Sequence, residues 1–294
     1  MCGYAQPPGD NRHQSAHLDG ADLHYGDVRD ADRLSELLAR VRPHTVYHLA
    51  ALSHVGNSWE GRRATLEVNL LGTDAVLDAV ARTDRETTVV VVSTGQVYGA
   101  TDEQAMPLDE TAAARPRSPY AASKLCAEVL GRQATDSGMA RAVMVRPFNF
   151  AGPGQEPTFV CSDFARQIAV AEATGRGAPI RVGNLETRRD FTHVRDMARG
   201  FQAAAERGLP GATYNLCSGQ GTSIQEVLDE LMALSTAEIP VEVDPERFRP
   251  VDVPLFIGDG SLAQRELGWK PEIPMSQTLQ ETLEYWRERV RASA

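Results

Sequence analysis

Residues 88–99 read Thr-Val-Val-Val-Val-Ser-Thr-Gly-Gln-Val-Tyr-Gly. Four consecutive valines favour an extended chain, and the run stops at two hydroxyl residues and a glycine. The reading is a strand over Thr88–Ser93 that ends in a tight turn. Its neighbours follow the same rhythm. Thr45–Ala50 (TVYHLA) reads as a buried strand and Ala142–Val145 as another, while Leu23–Gly26 reads as a strand end. Between them lie helical patterns at Ala31–Arg40, Ala64–Ala81 and Pro119–Thr135. In Ala64–Ala81 the apolar positions Leu66, Leu70, Val76, Leu77 and Val80 keep helical spacing. Strands alternating with helices predict a parallel sheet with crossover helices, a doubly wound α/β fold.

After Gly152 the character changes. Glycine and proline become frequent, arginines cluster, and helices are expected at Phe159–Thr174, Asp196–Glu206, Ile224–Leu234 and Gln277–Arg291. The division expected is residues 1–155 as a cofactor-binding domain and 156–294 as a smaller, mainly substrate-binding lobe, with some segments returning to the sheet. A dinucleotide-binding sheet normally opens with a strand, a glycine-rich turn and a helix that holds a pyrophosphate. No such glycine pattern occurs near the start, where Gly3 and Gly9 flank Pro7-Pro8 in what resembles a strand end and loop. By that reading the chain begins at the fold's second strand, and about 25–35 residues of a usual first βαβ unit are absent. Thr45–Leu49 should then show an unpaired edge, and cofactor binding should be weak.

Composition narrows the function. Of 294 residues 42% are hydrophobic, enough for one large domain or a domain with a lobe. The net charge of −10 argues against a nucleic-acid or anionic-membrane surface. No apolar run approaches the roughly 20 residues of a membrane helix. The first residues lack the basic-then-apolar order of a signal peptide, and Cys2, Cys126, Cys161 and Cys217 show no C-x-x-C spacing. Reduced thiols and a cytoplasmic location are the expectation. Histidines at His13/His17 and His44/His48 have i, i+4 spacing without acidic partners in a helical frame, so no metal is expected.

The chemistry centres on Tyr120-Ala-Ala-Ser-Lys124. Four residues apart on a helix, the two side chains share a face, and Ser118-Pro119 marks the helix start just before them. An ammonium near the phenol favours phenolate and would lower the tyrosine pKa. A tyrosine so placed can exchange a proton with a hydroxyl or carbonyl. Ser93 and Thr94 stand at a strand's carboxyl end, where ligands bind in such sheets.

Together His48–Ala51 (HLAA), Ser93–Gly99 (STGQVYG), Ser118–Lys124 (SPYAASK) and Arg146–Asn149 (RPFN) resemble the extended short-chain dehydrogenase/reductase family. The resemblance implies a Rossmann-like fold and a nicotinamide cofactor, NAD(P)H. It makes Thr94 the hydroxyl that orients a sugar, Tyr120 the acid/base and Lys124 its activator. It places Asp27 and Val28 beside adenine, has Leu49, Ala50 and Ala51 line the cofactor, and puts Asn149 on a sugar diphosphate. The stretches 183–191 (GNLETRRDF) and 247–253 (RFRPVDV) are similar to the branch containing GDP-mannose 4,6-dehydratases and GDP-4-keto-6-deoxy-mannose reductases. Residues 162–168, 214–219 (YNLCSG) and 268–274 (GWKPEIP) lean towards the reductases. In that branch the counterparts of Val160, Arg189, Arg249 and Asp252 hold the GDP part. Guanidinium forks suit phosphate oxygens, and a carboxylate suits a guanine N–H edge or a ribose hydroxyl.

Position 96 bears on the reaction. The dehydratase motif carries an acid two residues after the threonine, and here that residue is Gln96. An amide cannot exchange a proton there, so elimination is disfavoured. The expectation is NAD(P)H-dependent reduction of a GDP-linked 4-keto-6-deoxy sugar. A nucleotide-sugar 4-epimerase and a nucleotide-sugar-binding pseudoenzyme are the rivals. The family also implies a homodimer built from the helices at Ala64–Ala81 and Pro119–Thr135, with Leu66, Leu70, Val129 and Leu130 supplying apolar surface. Arg195 and Arg199 read as surface ion-pair residues.

Overall fold

A computed structural model describes residues 1–6, 20–100, 102–175, 178–248 and 253–293. The first strands are β1 (Cys2–Ala5) and β2 (Asp22–Tyr25), followed by α1 (Ala31–Val41), β3 (Thr45–His48) and the short helices α2 (Asn57–Glu60) and α3 (Arg62–Leu66). A π-helical turn, Glu67–Leu71, leads into α4 (Gly72–Thr83). Then come β4 (Thr88–Val92), α5 (Pro119–Asp136), β5 (Arg141–Pro147), β6 (Asn149–Ala151), α6 (Val160–Thr174), β7 (Ile180–Val182) and β8 (Arg188–His193). The chain continues through α7 (Val194–Arg207), β9 (Thr213–Leu216), β10 (Gly221–Ser223), α8 (Ile224–Ala233), β11 (Val241–Val243), β12 (Leu255–Phe256) and α9 (Met275–Ser293).

Strands β3, β4, β5 and β9 form a parallel sheet in that order. Side chains alternate across its two faces. Val89, Val91, Ala142 and Met144 pack with Leu34, Val76 and Val80 beneath α1, α4 and α5. Val90, Val143 and Val145 pack with Met197, Leu216 and Trp269 on the α7 side. Helices on both faces explain why the valines run without polar interruption. β9, from the second half of the chain, pairs with β5 and completes this sheet.

Among the described residues β3 pairs only with β4, so the other edge of Thr45–Leu49 has no strand partner among them, as anticipated. Where the sequence suggested only a strand end and loop, Cys2–Ala5 forms a four-residue strand in parallel register with β2. This pair is a separate two-stranded sheet, joined to the rest through Tyr4, whose hydroxyl donates to the Asp27 carbonyl at 3.1 Å. The helix expected as one piece over Ala64–Ala81 is divided by the π turn, because Asn69 is drawn inward.

The second half builds a different core. Helices α6, α8 and α9 enclose Phe164, Ile168, Leu228, Leu231, Leu279 and Leu283. β8 is the hub of small strands, pairing with β6, β10 and β12, while β7 pairs with β11. No helix among the described residues is long and apolar enough to cross a membrane. Leu283 is fully buried, and we expect Leu283→Ala to cost about 2–5 kcal/mol. A urea midpoint indistinguishable from wild type would contradict this packing.

Candidate active site

Because β4 is buried and paired on both edges, its carboxyl end is where side chains turn outward to a ligand. Thr94 caps the short 3₁₀ turn Gly95–Tyr98, accepting from the Gln96 amide at 3.2 Å. The turn closes at Gly99, whose φ is +70° and where a Cβ would lie 2.0 Å from the Arg115 carbonyl oxygen. Only glycine fits there. Opposite, Ser118 caps α5 by accepting from the Ala121 amide at 3.1 Å, with Pro119 in the first turn. That cap sets Tyr120 in the first turn and Lys124 one turn later, and both are buried.

Burial pushes the Tyr120 phenol up to about 12, and a hydrogen bond with the Thr94 side chain pulls partly the other way. The sequence suggested a tyrosine lowered by lysine. Instead desolvation dominates, and the Lys124 ammonium donates to the Val92 carbonyl at 2.7 Å. Sharing a helix face does not fix where a long flexible side chain ends. Burial also pushes Lys124 down to about 8.

Two residues that sequence reasoning did not select organise the surroundings. Thr73 donates its hydroxyl proton to the Asn69 carbonyl at 2.6 Å, so at 3.0 Å it must accept from His48 Nε2. Burial, with the Lys124 charge adding, pushes His48 down to about 3 and keeps it neutral. Asn69, in the π turn, accepts from the Leu52 amide at 2.7 Å and donates to Leu52 O and to Ser123 Oγ. It thereby ties the segment after β3 to α5. An asparagine inside an apolar helical run was the available signal.

The other predicted residues are distributed as follows. Leu49 and Ala50 are exposed and Ala51 half-buried just beyond β3. Asp27 is held by Arg29, which keeps its carboxyl down at about 2. Val28 is buried against Gly72, so its side chain serves the core. Asn149, Val160 and Arg189 line one cleft of about 290 Å³ beyond the end of β5. Arg189 Nη1 donates to the Val253 carbonyl at 2.6 Å. Arg249 and Asp252 lie outside the described residues, as do His13 and His17. The cleft also takes in Asp163 and Arg247, which pair with each other, and neither was selected from sequence. Arg195 pairs with Glu281 at the surface as expected, whereas Arg199 pairs both with the exposed Glu272 and with Asp196, which is fully buried. Away from the cleft, Cys2, Asp22 and His24 bring donor atoms within 4.8 Å, but the Arg40 guanidinium already lies 3.2 Å from the His24 ring.

This architecture, a parallel sheet wound on both faces with its polar residues at the strands' carboxyl ends, is the Rossmann-like fold of short-chain dehydrogenase/reductase proteins. The chain belongs to the GDP-mannose 4,6 dehydratase family, whose model matches residues 9–282. It is 36% identical to the GDP-6-deoxy-D-mannose reductase of Pseudomonas aeruginosa over 91% of this chain and 88% of that protein. It is 31% identical to a GDP-mannose 4,6-dehydratase of Vibrio cholerae over 91% and 80%. Among solved structures, RMD from Pseudomonas aeruginosa complexed with NADPH superposes with a TM-score of 0.87 at 32% identity, covering 98% of this chain and 99% of that one.

The burial of Lys124 has a consequence for stability. Its folded pKa, about 8 against 10.5, means the unfolded chain binds the proton more tightly. This term vanishes above the unfolded pKa and grows as pH falls to 8, reaching on the order of 3 kcal/mol of destabilisation. Lys124→Met is therefore expected to be more stable than wild type at pH 7, less whatever the unpartnered Val92 carbonyl costs. The advantage should shrink as pH rises from 8 towards 10.5, as read from urea unfolding at several pH values. An advantage independent of pH would contradict the burial of a charged lysine.

Proposed function

We propose that this chain reduces the 4-keto group of a GDP-linked 4-keto-6-deoxy sugar with a nicotinamide cofactor, NAD(P)H. The observation that carries the reading is the Thr94–Tyr120 hydroxyl pair at the end of β4, beside an amide, Gln96, where elimination would need an acid. A phenol held near 12 stays protonated at neutral pH, which suits a proton donor to a carbonyl being reduced. The name of one relative, the GDP-6-deoxy-D-mannose reductase, points the same way, as does the NADPH bound to RMD.

A reduced nicotinamide supplies hydride when bound. The chain's residues fit its nicotinamide half. Leu49 and Leu52 leave apolar surface exposed beyond β3, next to the Tyr120–Lys124 face that Asn69 ties to them. Leu49, Ala50 and Ala51 would line it, Lys124 would donate to its ribose, and Asp27 and Val28 would border the adenine. Thr94 orients the keto sugar by hydrogen bonding, and Tyr120 delivers a proton to the oxygen that becomes hydroxyl. The Lys124 charge stabilises the phenolate left behind. Asn149, Val160 and Arg189, with Arg249 and Asp252, hold the GDP part.

The proposal extends to organisation. Residues 1–155 serve the cofactor and 156–294 mainly the substrate. A homodimer would form through the π turn and α5, where Leu71 and Val129 are exposed and Leu130 turns inward. The protein would work in the cytoplasm.

The direct test incubates the protein with GDP-4-keto-6-deoxy-mannose and NADH or NADPH, following cofactor absorbance and products. Stoichiometric cofactor loss is expected; turnover without net loss would indicate epimerisation, and dehydration of GDP-mannose would overturn the assignment. Tyr120→Phe should lower kcat roughly 10²–10⁴-fold while GDP affinity stays unchanged. Undiminished turnover would remove Tyr120 from the reaction. Arg189→Ala should weaken GDP binding by about 2–5 kcal/mol, and calorimetry giving wild-type affinity would reject its role.

A further inference from the structure

The centre of the site rests on a charged pair that the reaction itself does not use. Glu128 follows Tyr120 by about two turns and Lys124 by about one on α5, so all three face the sheet. Its carboxylate is buried and takes three hydrogen bonds. Arg146 of β5 forks onto it, Nε at 2.9 Å and Nη2 at 2.7 Å. Ser93, the residue before Thr94, donates its hydroxyl to the same carboxylate. The remaining Arg146 nitrogen, Nη1, donates to the Tyr98 hydroxyl at 2.9 Å, and the guanidinium lies 4.9 Å from the Tyr98 ring centroid. The Tyr98 hydroxyl donates to Asn215 of β9 at 2.7 Å.

The connectivity is specific. Ser93 and Tyr98 are the two ends of the loop that carries Thr94 and Gln96, and one ion pair grips both ends. The same pair is rooted in the helix that carries Tyr120 and Lys124. We infer that the Glu128–Arg146 pair is a positioning device that sets the Thr94 loop against the Tyr120–Lys124 helix, so that the two hydroxyls meet one substrate oxygen. This rests on the reading of Thr94, Tyr120 and Lys124 given above. Glu128 and Arg146 are both buried, and their role is positioning.

Stability alone does not account for the pair. Desolvating two charges costs about what their attraction returns, and apolar residues of similar volume often serve a core as well. What the fork adds is direction, since its bonds tolerate little rotation. The pair also matters by charge. Glu128 lies eight residues from Tyr120, about 12 Å along the helix, with Lys124 between them and neutral His48 facing Lys124 from β3. Balanced, the two charges leave the field at Tyr120 to Lys124; unbalanced, either would change it.

Four proteins test this: wild type, Glu128→Gln, Arg146→Met and the double variant Glu128→Leu/Arg146→Met. Each is measured for kcat and KM across pH, for GDP affinity, and by ultraviolet difference titration of Tyr120 against a Tyr120→Phe counterpart. Glu128→Gln leaves Arg146 uncompensated and should lower the Tyr120 titration point by roughly one pH unit. Arg146→Met leaves Glu128 uncompensated and should raise it by a similar amount. The double variant, apolar throughout and so the one most certain to fold, should return the titration point to wild type. Its kcat should still fall by roughly 100-fold, from misplacement of the Thr94 loop, with GDP affinity unchanged. Wild-type kcat in the double variant would overturn the proposal, as would titration points that do not move in opposite directions in the single variants. If the wild-type protein itself turns over no keto sugar, the proposed reaction fails. The opposite displacements in the difference titration then still decide whether the pair acts on Tyr120.

Discussion

Strand β4 has both edges paired and both faces covered, and most of the molecule's order follows from that. Its buried amides and carbonyls must be satisfied by neighbouring strands, since unpaired buried groups cost about 1–3 kcal/mol each. The ladder to β3 and β5 meets this demand and continues past the strand, where the Ser93 amide donates to the Val145 carbonyl at 2.8 Å. The last carbonyl, Val92, is taken by the Lys124 ammonium. With the backbone so fixed, Thr94 emerges at one place.

Helix α5 meets that place through a stripe of residues four apart, Tyr120, Lys124 and Glu128. The stripe shows how magnitude decides between opposing effects. The Thr94 hydrogen bond draws the tyrosine down and burial draws it up; burial wins, and the lysine yields to burial as well. Both groups are buried, so their protonation states follow from the tertiary setting.

The second half supplies a cleft of different character. Its wall is β8, whose Asp190 is buried and accepts from the Ser218, Gly219 and Gly258 amides, bracing two loops at once. On that frame Arg189 reaches the cleft beside Asn149, Phe159 and Val160. Residues from β6, α6 and β8 meet there because β6 and β8 pair in register, Asn149 opposite Phe191. Nothing in their spacing along the chain foretells it.

The sequence by itself determined the alternation of strands and helices, the burial of the valine run, the cap that begins α5 and the four-residue step from Tyr120 to Lys124. These are local matters: β-branching, helical period and proline at a helix start act within a few residues of one another. Tertiary structure alone decided the strand formed by Cys2–Ala5, which needs β2 as its partner, and the π turn, which follows from Asn69 reaching Leu52 and Ser123. It decided that Lys124 ends on Val92, that Val28 is core, and that Glu128 meets Arg146 from another strand. Each of these depends on which distant groups come within hydrogen-bonding or packing distance, and those distances exist only once the sheet has formed.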